Sequence, residues 1–341
     1  MTSTGGRIGS PTLDEVAELA GVSRATVSRV VNDSPRVSPE AREAVLQAVE
    51  QLRYVPNRLA RSLVTRRTDT IALVLSESKT QIFSDPFFAS IVRGVSAALA
   101  DTELNVVLLA ARDEREQEKA GRYVRQGHVD GVILMSMHND DLLPEIVAEA
   151  HVPLVLFGRP QNGRAVSFVD ADNAGGGALA TRHLLGQGRA RIGTVTGRHD
   201  MNAGLDRFSG YRTALEEAGL QARGELCVEG DFTEAGGARG MARLLEQVPD
   251  LDAVFVASDP MAVGALRTLH AAGRRVPEDV AVVGFDDAPI ARECDPPLTT
   301  VAQPLAEMTR HMTDMLLRQI DGDPDVEVRV CETHLVRRAS A

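Results

Sequence analysis

From Thr12 to Asn32 the apolar positions fall on one face of each of two successive helices. Leu13, Val16, Ala17 and Ala20 recur at i, i+3, i+4 and i+7, the spacing of a helix with one buried stripe. Thr12 and Glu15 stand at the offset of a capping box, so this helix begins at about Leu13. Gly21 can take the positive φ of a tight turn, and Ser23 caps a second helix running to Val31 that buries Val27 and either Val30 or Val31. A third helix follows from Ser38 as N-cap and Pro39 at its first position, with Val45, Ala48, Val49 and Leu52 inward. Two short helices about a glycine turn, the second with Arg24, Ala25, Ser28 and Arg29 outward, have the spacing of a DNA-reading helix-turn-helix; an ordinary helical hairpin is the bland alternative.

On that reading Arg24, Ala25 and Arg29 meet base edges, since arginine bonds guanine bidentately and alanine suits a thymine methyl. Thr12, Thr26, Ser28 and Asn32 are short donors suited to phosphate oxygens. Residues 1–11, rich in Gly, Ser and Thr, are predicted to form a disordered tail, and 12–56 the headpiece. Residues 57–67 then form a hinge helix and linker, capped by Asn57 and carrying Arg58 and Arg61 on one side, Leu59 and Leu63 on the other. Isolated helices below about 12 residues are marginal in water, so this one needs a partner. Leu63 suits a wedge into a minor-groove step, and a plain linker is the simpler alternative.

From Ile71 the pattern changes to short apolar runs alternating with helical stretches: IALVLS, NVVLLAA, VDGVILMS, VPLVLFG, SFVDAD, RIGTVTG, LDAVFVAS and VAVVGFDD. Near-continuous apolar strands between helices mean parallel sheets covered on both faces. Two sets of such units, divided near Asp170, predict an α/β core of two lobes over residues 68–341. Ligands bind beyond the carboxyl ends of such strands. The residues there include Ser76, Phe83, Phe87, Arg112, Arg159, Asp172, His199, Asn202, Arg207, Phe232, Asp259 and Asp286. Carboxylates, amides and guanidinium groups bond vicinal hydroxyls while aromatic faces pack on sugar rings, so a carbohydrate-like effector fits. Taken singly, several have plainer uses: Asp172 and Asp259 as helix caps, Phe87 as core, Arg207 as a surface partner of Asp206 or Glu216.

Charge sharpens the division. Net charge is −11, yet residues 1–67 hold 10 Arg and 7 Asp plus Glu, leaving a basic head on an acidic body. The 3 cysteines, Cys227, Cys294 and Cys331, form no CxxC pair and read as reduced core residues. No apolar run approaches a membrane span and the first residues lack a signal-like apolar stretch, so a cytoplasmic protein with no membrane partner is expected. GGG at 175–177 lacks phosphate-loop order and reads as close helix packing; no HExxH, Cys/His cluster or GxSxG appears, so no metal, cofactor or catalytic site is expected.

The motifs TLDEVAELAGVSRATVSRVVN, YVPNRLARSL, DAVFVASDPMAVGAL, VAVVGFDD and PPLTTVAQP resemble those of LacI-family transcriptional regulators over essentially the whole chain. The resemblance implies a homodimeric, DNA-binding repressor on a palindromic operator, with a core like that of periplasmic sugar-binding proteins and three crossovers between lobes. It places the first lobe at about 68–169 and 300–323, with Leu305 to Ile320 packing on it, and the second at about 170–299 and 324–341. Position by position, it makes Leu63 an intercalating leucine, Arg207 the effector-binding arginine, Phe232 a stacking aromatic, Asp286 a hydroxyl-binding carboxylate and Gln303 a crossover contact. Gly158 and Ser258 depart from the aspartate and asparagine of some members. RTDTIALVLSE, FSDPFFASIVRGV and GDFTEAGG look most like the cello-oligosaccharide-responsive repressors, which implies release by cellobiose or a longer cello-oligosaccharide. A maltose-type or other glycoside effector, a purine-type corepressor, and a sugar-transport receptor are the alternatives.

Overall fold

The computed structural model describes residues 11–31, 36–54, 67–160, 163, 165–323 and 325–341. Among the described residues, three helices make the N-terminal unit: α1 (Leu13–Ala20), α2 (Arg24–Val31) and α3 (Pro39–Leu52). The Thr12 hydroxyl accepts from the Glu15 amide at 3.3 Å while the Glu15 carboxylate accepts from the Thr12 amide at 2.7 Å, so the capping box closes. Gly21 stops α1 at φ 64°, and Ser38 caps α3 with Pro39 in its first turn. Val16, Ala17, Val27, Val30, Val45 and Ala48 form the core, joined by Tyr54, whose ring is buried against them. The sequence pattern treats Tyr54 only as extended chain; its role is set by tertiary packing, which no local period reports. The hinge residues Asn57, Arg58 and Leu63, and the loop residue Asn32, lie outside the described residues.

Residues 69–341 form a second unit built on two six-stranded sheets. The first contains β1 (Thr70–Leu75), β2 (Asn105–Ala110), β3 (Gly131–Met135), β4 (Leu154–Phe157) and β5 (Ser167–Ala171); the second contains β6 (Ile192–Thr196), β7 (Cys227–Glu229), β8 (Ala253–Val256), β9 (Ala281–Asp286) and β10 (Thr299–Ala302). β11 (Val328–Cys331) then returns to the first sheet and β12 (His334–Val336) to the second. Strand order is β11-β5-β4-β3-β1-β2 in one and β12-β10-β9-β8-β6-β7 in the other. All pairs are parallel except β10 with β12. Central strands such as β3 and β8 are buried at every residue, as sheets covered on both faces require.

The lobe boundaries differ from the sequence expectation. β5 pairs with β4 through Phe157 and Val169, so the first lobe continues to Ala171. β10 pairs with β9 in the second sheet, which corrects the assignment of residues 300–302 to the first lobe. β11 pairs with β5, which likewise corrects its assignment to the second. Apolar runs predict strands, but the sheet a strand joins is decided by which unfilled ladder it reaches. β7, β10, β11 and β12, of 3 or 4 residues, each include a polar or charged position, so unlike the all-apolar β4 they do not stand out as runs. The helix Leu305–Ile320 packs on the first lobe, where Met308, Met312, Met315 and Leu316 share a core with Ile71, Leu73 and Ile133.

Of the glycine triplet, Gly177 serves packing between helices, while Gly175 faces the Asp172 carboxylate and Gly176 the Phe285 ring. A Cβ at Gly177 would stand 2.2 Å from the Arg207 carbonyl oxygen, and one at Gly210 would stand 2.0 Å from that of Ala174. This close approach of Asn173–Gly186 to Asn202–Glu217 holds Arg207 against its partners.

Candidate functional site

Within each sheet the strand order reverses beside the first strand, between β1 and β3 in one lobe and between β6 and β8 in the other. Such switch points open a crevice at the strands' carboxyl ends. There the two lobes enclose a cleft lined by polar groups and aromatic rings, the usual make-up of a small-molecule site. Phe87, Phe157, Gly158, Arg159 and Asp170 line it from the first lobe; Asn173, Asn202, Arg207, Phe232, Ser258 and Asp286 line it from the second, with Gln303 at a crossover.

Arg207 forms the floor. Its Nε donates to Asn173 Oδ1 at 2.9 Å, its Nη1 donates to the Ala257 carbonyl at 2.6 Å, and the same nitrogen lies 3.3 Å from Asp286 Oδ1. The guanidinium sits 3.7 Å from the centre of the Phe285 ring. Burial works against its charge while Asp286, Asp170 and Asp259 work for it, and a guanidinium stays protonated in such surroundings. Asp286 also accepts from Gln303 Nε2 at 2.7 Å; burial pushes its carboxyl up, and Arg207 and Gln303 oppose that rise. The plainer expectation that Arg207 pairs with Asp206 or Glu216 fails, because Asp206 pairs with Arg159 and Glu216 with Arg212.

Aromatic faces flank these polar groups. Phe87 packs edge-on against Phe88 and Phe157, with ring centres 5.6 and 5.9 Å away. On the second lobe the Phe232 ring lies over Gly197, where a Cβ would come within 2.1 Å of Cζ. Phe232, Asp286 and Ser136, all lining the cleft, have φ of 63°, 111° and 56°. Side-chain-bearing residues in this region carry strain of order 1–3 kcal/mol each, and such strain collects at ligand sites.

The structure brings Phe87, Arg159, Asn202, Arg207, Phe232, Asp286 and Gln303 together, and excludes three other sequence candidates. Phe83 is 80% exposed and stands outside the cleft lining. Ser76 is buried beneath it. Asp259 is fully buried, its carboxylate accepting from the Ala288 amide at 2.7 Å and the Thr300 hydroxyl at 2.6 Å, so it braces the turn after β9. Asp172 caps its helix through the Gly175 amide, the plainer of its two uses. Sequence reasoning missed the cleft residues Glu77, Asp85 and Asp170. All three follow or end apolar segments, but Asp85 also caps a helix by accepting from the Phe87 amide at 2.9 Å, which disguises it as punctuation. Burial pushes its carboxyl up to about 7, with Asp286 and Glu77 adding to the rise against the Phe87 amide.

In the headpiece, Arg24, Ala25 and Arg29 are exposed along α2. Arg24 also lies 3.6 Å from Asp14 on α1, an exposed pair that a phosphate or base can displace. Thr26 is half-buried and shares its hydroxyl with Ser23 at 2.9 Å; Ser28 is half-buried too. The Thr12 hydroxyl is engaged in the capping box.

A helix-turn-helix unit and a two-lobed ligand cleft in one chain define a DNA-binding regulator that answers to a small molecule. Residues 12–57 match the model of bacterial regulatory proteins of the lacI family, and residues 181–341 match a periplasmic binding protein-like domain. The chain is 52% identical over 333 residues to the HTH-type transcriptional regulator CelR of Thermobifida fusca, covering 97% of this chain and 98% of that one. It is 36% identical to the HTH-type transcriptional regulator GalR of Escherichia coli over 96% of this chain and 95% of that protein. Among solved structures, a transcriptional regulator CelR-cellobiose complex superposes with TM-score 0.79 at 49% identity, over 97% of this chain and 100% of the other. The lac repressor dimer bound to operator and the anti-inducer ONPF superposes at 0.86 with 27% identity, over 97% and 99%. The chain belongs to the LacI family of transcriptional regulators. Among the described residues no helix is long and apolar enough to cross a membrane.

Proposed function

We propose that this protein is a cytoplasmic, homodimeric repressor that holds a palindromic operator and is released by cellobiose or a related neutral cello-oligosaccharide bound between its lobes. The observation that carries the reading is the polar floor of Arg207, Asp286, Gln303 and Asn173 set between the Phe87 and Phe232 rings. Such a floor offers paired acceptors and donors to vicinal hydroxyls, while the rings cover the apolar faces of pyranose units. Likeness to the CelR-cellobiose complex supports the same ligand class.

Charge favours a neutral ligand. Arg207 is committed to Asp286, and Arg159 to Asp206 at 2.7 Å, whereas Glu77, Asp85 and Asp170 also face the cleft. A phosphate or carboxylate on the sugar would meet these acids while the two cations of the cleft lining, Arg159 and Arg207, already hold carboxylate partners that it would have to displace. A ligand held by both lobes favours the closed cleft, and closure shifts the first lobes of the dimer so that the hinge segments lose their grip on DNA. Isothermal titration of the full chain tests the ligand: cellobiose binds, and a 6-phosphorylated cellobiose binds roughly a hundredfold more weakly, about 2.7 kcal/mol. Equal binding of the phosphorylated sugar, or binding of a purine base in place of both, contradicts the proposal.

A further inference from the structure

Beside the ligand cleft, a buried histidine joins the two lobes. His138 lies after β3 in the first lobe with its side chain fully buried. Its Nδ1 is 3.0 Å from Asp200 Oδ2 of the second lobe, and its Nε2 is 3.5 Å from Glu77 Oε1, which follows β1. The backbone repeats the connection, since the Asn139 amide donates to the Asp200 carbonyl at 3.1 Å. Nε2 makes no hydrogen bond at that distance, but carboxylates only accept, so a ring that faces one with each nitrogen suits both neighbours best when doubly protonated.

We propose that Glu77, His138 and Asp200 form a latch between the lobes, with the imidazolium form of His138 as the positioning residue that favours the closed cleft. Glu77 lines the ligand cleft as well as facing His138, so one carboxylate is shared between latch and ligand site. The latch rests on the neutral-sugar reading only in its effect on affinity.

The surrounding charges fix the sign. Glu77 faces the ring from the end of β1, and Asp141 and Asp140 lie on its own loop, where Asp141 accepts from the His138 amide at 2.9 Å. From the second lobe come Asp200 and Arg198, which binds the same carboxylate, with Glu229 beyond Arg198. Burial pulls the His138 ring down, but Glu77 and Asp200 together raise it above its ordinary value. Asp200 is held down at about 2, first by Arg198 and then by His138, so it stays ionised throughout. Opening separates His138 from Asp200 but leaves Glu77 of the same lobe beside it, so the ring gives up the part of its rise above about 6.5 that Asp200 supplies. Closure is therefore favoured fully below the open-state value and loses the contribution as pH rises through the closed-state value.

The test compares the full-length protein with Asp200→Asn from pH 6 to 9, by cellobiose titration and by thermal melting without ligand. The parent protein should lose about three- to tenfold in cellobiose affinity across this range, because a ring that holds its proton more tightly when closed favours closure. Asp85 titrates in the same window, so Asp85→Asn should keep that pH dependence while Asp200→Asn loses it. In melting, the parent should exceed Asp200→Asn by a margin of about 2–4 °C at pH 6 beyond that at pH 9. A melting difference independent of pH reflects loss of the Arg198 bonds alone and overturns the latch, as does an unchanged pH profile in Asp200→Asn. If cellobiose fails to bind at all, the effector reading falls while the melting curves still decide the latch.

Discussion

On α2, Arg24 and Arg29 stand in solvent on a helix whose other face is core, and their outward direction follows from period alone. Arg207 is only 5% exposed and meets four partners from three separate segments: Asn173, Ala257, and Phe285 with Asp286. The first arrangement keeps its bonding capacity for a partner outside the chain. The second spends most of it on setting the shape and polarity of the cleft. Exposed arginines are therefore modular, whereas removing the buried one unbalances charges around it.

The largest expected effect follows from that asymmetry. Arg207→Ala leaves Asp286 buried beside no cation and should cost about 3–5 kcal/mol of stability, with cellobiose binding lost, as read by urea unfolding and calorimetry. Arg29→Ala should weaken operator binding by about 1–3 kcal/mol. Its unfolding should stay within about 0.5 kcal/mol of the parent. If Arg29→Ala instead destabilised the headpiece as Arg207→Ala destabilises the core, the contrast would collapse.

Two smaller changes sharpen it. Gly197→Ala places a Cβ 2.1 Å from the Phe232 ring, so the ring must move and cellobiose affinity should fall roughly tenfold, about 1.4 kcal/mol. Operator affinity without ligand should not change. Thr12→Ala removes the α1 cap and should cost about 1 kcal/mol of headpiece stability, visible as an earlier first step in thermal unfolding with core melting unchanged.

The same contrast explains what was legible in the chain. The headpiece could be read residue by residue because its signals are local: Thr12 with Glu15, Gly21 in the turn, Pro39 at a helix start. The core strands could be read because four to six apolar residues in a row declare themselves. The assignment of β10 and β11 to lobes could not, since it depends on which ladder each closes: β10 joins its near neighbour β9, whereas β11 returns across more than a hundred residues to β5. Phe83 and Phe87 look alike in sequence, four residues apart, yet one is exposed and the other walls the cleft, because a helix break at Asp85 turns them to different sides. Asp170 and Asp259 each follow or end a strand; one faces the cleft and the other is sealed under Ala288 and Thr300. Position at a strand end selects candidates, and the turn that follows decides which of them reach the ligand.

The central claim joins the two units: a neutral sugar in the cleft loosens α2 from DNA. Its most direct test is fluorescence anisotropy of the full-length protein on operator DNA from upstream of its own gene, titrated in salt and then with cellobiose, maltose and lactose. The account predicts tight binding that weakens steeply with salt and is released by cellobiose at concentrations where maltose and lactose leave it intact. Binding that cellobiose leaves unchanged, or tightens, would contradict it.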